Sequence, residues 1–187
     1  MGILDTLKNV DIKKWKPRPE ILASCHTPKP MHQTVPRDIL GKAWWDKTRK
    51  EAYKSTNYHC IACSTHKSDA KYHRWLEGHE LYKPNYAVGI WKYIETVPLC
   101  HFCHNYIHSG RLQMLLERGE IHHHKYVAII QHGDAILASI GLERWQPYEG
   151  KFAPWNKWRL QIGRKKYKPK FKSLSEWEAN FDVKEEE

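Results

Sequence analysis

Two Cys-x-x-Cys pairs, Cys60/Cys63 and Cys100/Cys103, stand on either side of residues 64–99, and nothing else constrains the fold of this chain as much. A CxxC turn presents two thiolates to one ion, and two such turns complete a tetrahedral four-sulfur zinc site. That site has no open position, so its role is to hold the fold together. The fifth cysteine, Cys25, stands apart. The paired spacing reads as metal ligation and not as disulfides. The spacer is longer than a simple zinc ribbon needs and leaves room for a β-hairpin. Loss of the metal is expected to unfold this region.

The rest of the chain arranges itself around these turns. Residues 1–40 form a basic, proline-rich segment, expected as an extended arm. Residues 41–141 form a zinc-stapled domain with flanking helices. Residues 142–187 form a basic aromatic C-terminal module with an acidic tail. Residues 42–55 have helical spacing, with Trp44, Trp45, Thr48, Ala52 and Tyr53 on neighbouring faces. Residues 72–99 alternate apolar-aromatic runs with turn signals and predict two or three short strands broken at Lys83-Pro84-Asn85. A helix is expected from Cys103 to Gly110, with two more over 111–118 and 122–141. The last has Ile129, Ile130, Ile136, Leu137 and Ile140 as its core stripe, Gly133 as a weak point and Gly141 as its C-cap. Trp158–Ile162 and Lys165–Phe171 flank Gly163-Arg164 as a hairpin, and Pro169 marks an edge strand. A short helix follows at Ser175–Phe181, and the last residues are expected to fray. The fold class is α+β.

The net charge is +10 and unevenly spread: residues 151–173 hold nine basic and no acidic side chains, whereas residues 60–110 hold five and four. A near-neutral centre between basic flanks suits a polyanionic partner. The best phosphate-contact candidates are Lys157, Arg159, Arg164, Lys165, Lys166, Lys168, Lys170 and Lys172. Trp155 and Trp158 lie among them, with packing favoured over base stacking. No apolar run approaches the roughly 18 residues of a membrane span, and the first residues lack a signal-peptide core. A cytoplasmic protein without a membrane partner is expected. The run His122-His123-His124 reads as exposed residues at a helix start.

Between the knuckles, residues 75–84 read WLEGHELYKP and place Glu77, His79 and Glu80 within four positions. After the second knuckle come His104 and His108. Residues i and i+4 share a helix face, so the two imidazoles point the same way, one turn apart.

The segments Cys60–Cys63, Leu76-Glu-Gly-His-Glu-Leu81 and Leu99–His108 together resemble the HNH nuclease superfamily, with its zinc-stapled ββα-metal, treble-clef-like core. The likeness covers roughly residues 37–110 in detail. It implies a divalent-metal-dependent endonuclease acting on DNA, most naturally double-stranded. It also implies a structural Zn2+ on the four cysteines and one catalytic cation such as Mg2+ or Mn2+. Two registers carry the family's roles across. In the first, His79 is the general base, and Glu77 shares the cation with His104 or His108. In the second, His79 is a ligand beside His104 and His108, and Glu80 stands where the base belongs, which requires a raised carboxyl pKa. The first register is preferred because it keeps a histidine as base and puts Glu77 and His79 on one strand face.

The sequence departs from the family at Gly78, where relatives often have a ligand. It also lacks the family's asparagine before the second knuckle, where Glu95 and Thr96 stand nearby. Two rival readings therefore accompany the nuclease: a catalytically inactive, zinc-containing nucleic-acid-binding module, and a zinc-stabilised protein-interaction module.

Overall fold

A computed structural model describes residues 15–144 and 146–182. The extreme N-terminal residues and the acidic tail beyond Asp182 lie outside it, so the expected fraying falls outside the described residues. Among these residues the fold is α+β, with five α-helices and one four-stranded sheet. The helices are α1 (Pro36–Ser55), α2 (His101–Ile107), α3 (Ser109–Glu117), α4 (His123–Ala138) and α5 (Leu174–Asp182). The strands are β1 (Glu77–Asn85), β2 (Ile90–Leu99), β3 (Arg159–Ile162) and β4 (Lys165–Tyr167), in the order β1-β2-β3-β4. No helix among them is long and apolar enough to cross a membrane.

β1 and β2 form one antiparallel hairpin, pairing Glu77 with Leu99 at the open end and Asn85 with Ile90 at the turn. A register shift falls between Leu81 and Tyr82. The predicted break at Lys83-Pro84-Asn85 is not a turn: these residues end β1, and the chain reverses at 86–89. Proline is tolerated because β1 is an edge strand, where a missing N–H interrupts no central ladder. Gly89, with φ 74°, closes the turn against the backbone of Lys157 and Trp158. The C-terminal hairpin then joins the same sheet, because β3 lies parallel to β2 through Trp91 and Leu160.

Two cores result. The first surrounds the knuckles and includes Leu76, Leu81, Val97, Leu99, Phe102, Tyr106, Leu112, Ile129 and Leu137. The second lies at the turn end of the hairpin and consists of Met31, Tyr86, Trp91, Ala153, Trp158 and Leu160. The proline-rich segment does not stand off as an extended arm. Ile21 and Leu22 enter the first core and Met31 the second, while Arg18 donates to Ile61 O at 2.7 Å through its backbone N–H and to Glu95 Oε1 at 2.6 Å through its side chain.

α1 begins earlier than its spacing predicts, with Pro36 in its first turn and a break at Gly41 (φ 84°). Trp44 meets Tyr93 edge-on at 5.8 Å. Trp45 covers Gly78, where a Cβ would stand 3.0 Å from the indole and 3.2 Å from Arg49 Cβ. The glycine therefore lets α1 lie on β1. The helix expected from Cys103 starts at His101, because Cys100 is its N-cap, and Gly110 lies inside α3 and does not end a helix. In α4, Ile129 and Leu137 are buried, whereas Ile140 lies beyond the helix and is exposed. Gly133 is not a weak point but a contact: a Cβ there would fall 2.2 Å from the Tyr106 ring.

Candidate metal centres

Cys60, Cys63, Cys100 and Cys103 bring their sulfurs within 4.8 Å of one another. The first knuckle turns on Ser64 (φ 62°), whose N–H donates to Cys60 O at 2.9 Å. Ile61 N–H donates to Pro98 O at 2.9 Å, which fixes that turn to the end of β2. β2 then runs directly into Cys100, so the second pair starts α2. Cys60 and Cys103 are fully buried. Four convergent thiols in an apolar setting form a possible structural metal site, consistent with zinc. One supporting group escaped the sequence reading: His132 of α4 places Nε2 3.5 Å from Cys103 Sγ, positioned to donate to a thiolate.

The second grouping is His79, His104 and His108, one nitrogen from each lying within 4.8 Å of the others. β1 supplies His79 and α2 supplies His104, with His108 at its C-cap. The ring centroids are 5.5 Å apart for His79 and His104, 4.9 Å for His79 and His108, and 4.7 Å for His104 and His108. Burial depresses the pKa of His79 well below the usual histidine value, and the neighbouring His108 and His104 add to the effect. Burial likewise lowers His108, to about 3, with His104 and Arg111 opposing its charge. Both rings are thus neutral near pH 7, the state in which imidazole binds a cation. The donor set fits a divalent ion.

Glu77 does not join this trio. Its Oε2 accepts from His104 Nδ1 at 2.7 Å and its Oε1 from His101 Nδ1 at 3.0 Å. Bonding at Nδ1 leaves His104 Nε2 as the nitrogen available to a cation and fixes the ring's orientation. Burial favours the neutral Glu77 carboxyl, but the hydrogen bonds from His101 and His104 prevail and hold it below its ordinary range.

Glu80 belongs to the other face of β1, with Gly78, against the start of α1. It is 9% exposed and its Oε1 has no hydrogen-bond partner. Burial pushes its carboxyl up, with the charge of Arg37 acting against that. Glu95 is held by Arg18, and Thr96 lies 2.9 Å from the Tyr93 hydroxyl, so both are engaged elsewhere than at the histidines.

His101 and His73 were not singled out in the sequence. His101, His104 and His108 follow an i, i+3, i+7 pattern, a one-face signal hidden because His101 overlaps the knuckle. His73 comes from a segment of bends and carries no periodic signal.

The cationic candidates lie at the other end of the sheet. Lys157, Arg164, Lys165, Lys166, Lys168, Lys170 and Lys172 are exposed. Arg159 is half-buried and donates to the carbonyls of Asn156 at 2.8 Å and Trp158 at 2.6 Å. Lys170 bonds the Gln33 side chain. Trp158 is buried and Trp155 donates to Phe171 O at 2.8 Å, as the packing reading expects. His122, His123 and His124 are exposed at the start of α4. Cys25 is a free thiol beside Tyr86.

Compared with protein-family models, curated proteins and solved structures, the chain gives no match.

Proposed function

We propose that this protein is a divalent-metal-dependent DNA endonuclease of the HNH type. The observation that supports it most is the convergence of His79, His104 and His108 on one point beside four clustered cysteines. On this reading His104 and His108 hold the cation, His79 faces it as the base, and Glu77 orients His104 through its 2.7 Å hydrogen bond. When bound, the cation stabilises negative charge developing on the phosphate and on the leaving oxygen. Burial raises the Glu80 carboxyl, but Glu80 lies on the strand face opposite His79, so the second register meets its pKa condition without the geometry that a base needs. The first register is therefore kept, with His79 the acceptor of the proton from water. From Val97, opposite His79, to Trp91, beside the cationic hairpin, β2 spans about 20 Å. A duplex laid along the sheet reaches both.

Plasmid nicking in Mg2+ or Mn2+ tests the proposal, with His79→Ala and Glu80→Gln beside the native chain. The expected result is that His79→Ala loses cutting but keeps cation binding through His104 and His108, while Glu80→Gln keeps both. Loss of cation binding together with cutting in His79→Ala makes His79 a ligand, as in the second register. Equal cutting by native chain and His79→Ala sinks the proposal.

The second reading is an inactive nucleic-acid-binding module, which the placement of Glu80 against α1, on the strand face opposite His79, favours if His79 is a ligand. Salt-dependent DNA binding without cleavage selects it. Failure to bind nucleic acid at any salt selects the zinc-stabilised protein-interaction module.

A further inference from the structure

Next to the three-histidine point lies a second convergence, of which the nuclease reading uses Glu77 alone. His73, Glu77 and His101 each offer a donor atom, and these atoms lie within 4.8 Å of one another. We propose that His73, Glu77 and His101 form a second divalent-cation site, which Glu77 joins to the first centre.

The two oxygens of Glu77 divide between the clusters. Oε2 faces His104 at 2.7 Å and Oε1 faces His101 at 3.0 Å. Two donors each ~2.1 Å from one cation stand about 3.0 to 3.4 Å apart, depending on geometry. The Oε1 to His101 Nδ1 separation of 3.0 Å already has that spacing, so a cation can take the place of the shared proton with little movement of either group.

The remaining side chains are held in place. Asn105 is buried, its Nδ2 donating to His101 O at 2.8 Å and lying 3.2 Å from His101 Nδ1. His73 meets the His101 ring edge-on at 4.4 Å and stacks on Trp75 at 4.1 Å and 9°. Its segment is anchored on both sides by buried residues, Ala70 and Leu76. Tyr72 takes a left-handed conformation, φ 67°, which a bulky side chain rarely adopts. Its ring stacks on Phe102 at 5.5 Å, with Lys125 Nζ 4.2 Å away on the ring face. These contacts bring a histidine from an irregular segment against α2.

The three donors are half-buried and remain open to solvent ions. Two imidazoles and one carboxylate select a borderline cation such as Co2+, Ni2+ or Zn2+ over Mg2+, which prefers an all-oxygen shell. The inference rests on these donors and not on DNA cleavage.

The test uses the full chain with the four-cysteine metal retained, titrated with Co2+ under equilibrium dialysis. About two further equivalents are expected. His73→Ala and His101→Ala should each reduce them to about one, and His108→Ala should remove the other. Because His101 packs in α2, the His73→Ala result decides if His101→Ala fails to fold. Co2+ beside His73 should also quench a fluorescence component that Trp75→Phe abolishes. One equivalent in the native chain, unchanged by His73→Ala, overturns the second site whatever the nuclease assay shows. Loss of cleavage with two equivalents still bound instead counts against the nuclease reading alone.

Discussion

The two ends of the β1–β2 hairpin are stabilised by different means. At the open end, Leu76, Val97 and Leu99 share a core with four cysteines, and the histidines gather on the same side. At the turn end, Met31, Tyr86, Trp91, Trp158 and Leu160 form a core of aromatic and aliphatic groups. There Trp158 donates to Ala153 O at 3.2 Å, and Tyr82 stacks on Trp91 at 4.8 Å. The open end thus offers sites for ions, while the turn end carries a cationic hairpin on a packed base. This difference teaches that one sheet can join an end held by packed side chains to an end whose four clustered cysteines offer a metal site.

Removing the metal should separate them most sharply. Binding of a structural zinc is worth about 10–16 kcal/mol in small modules, comparable with the roughly 5–15 kcal/mol stability of an entire domain. Chelation, or Cys100→Ser, is therefore expected to abolish protection of α2 and β2 amides in hydrogen exchange. If those amides stay protected after the metal is gone, the open end does not depend on it.

Trp158→Ala should be the largest metal-independent lesion. The side chain is 1% exposed, and deleting a buried tryptophan costs about 3–5 kcal/mol. Denaturant unfolding should show that loss while the zinc content stays constant. A parallel loss of zinc would mean that the two ends unfold as one cooperative unit.

Acid should act next, on the open end. His79 and His108 have depressed pKa values in the fold, the latter about 3, against 6.5 ordinarily. Below pH 6.5 the unfolded chain takes up protons that the folded chain refuses, so stability falls as pH drops toward 3. Each histidine contributes at most about 1.4 kcal/mol per pH unit in that window. Melting temperature followed from pH 7 to 5 should fall less steeply in His108→Gln. An unchanged slope would show that this imidazole accepts a proton within the fold.

What the sequence disclosed and what it hid follow the range of the interactions. The CxxC turns, the His104/His108 pair and the Gly163-Arg164 hairpin were legible because each depends on residues within a few positions. The parallel pairing of Trp91 with Leu160 was not, because it joins strands far apart in the chain. Pro84 and Gly110 were read as breakers from their types alone. An edge position absorbs the first, and the second sits in an ordinary first turn of α3. Glu77 was placed on the correct strand face, but its partners depended on how far α2 begins before Cys103. That two-residue difference puts His101 on the helix within reach of Glu77, which links two clusters where it was expected to share a cation with His104 or His108.

Gly133→Ala tests how tightly α4 seals the open end. Alanine ordinarily gains about 1 kcal/mol over glycine in a helix. Here its Cβ would meet the ring of Tyr106, a buried residue whose hydroxyl donates to Asp134 Oδ1 at 2.7 Å. Overpacking of this kind costs about 1–3 kcal/mol, so a net loss of stability is expected. A gain would mean that Tyr106 yields easily.

The smallest effect on stability should come from Lys165→Gln with Lys166→Gln. Both side chains are exposed on β4, at the sheet's far edge from the histidines, and surface changes of this kind stay within about 0.5 kcal/mol. On the proposed nuclease reading, their effect on DNA binding should be larger. Each phosphate contact adds about 0.9 to the slope of log affinity against log salt, so removing two should flatten it by about 1.8. If the hairpin positions the duplex as proposed, kcat at saturating DNA should hold while KM rises. A fall in kcat with an unchanged salt slope would place the reacting phosphate against β4 itself, and the division between a binding end and a metal end would be lost.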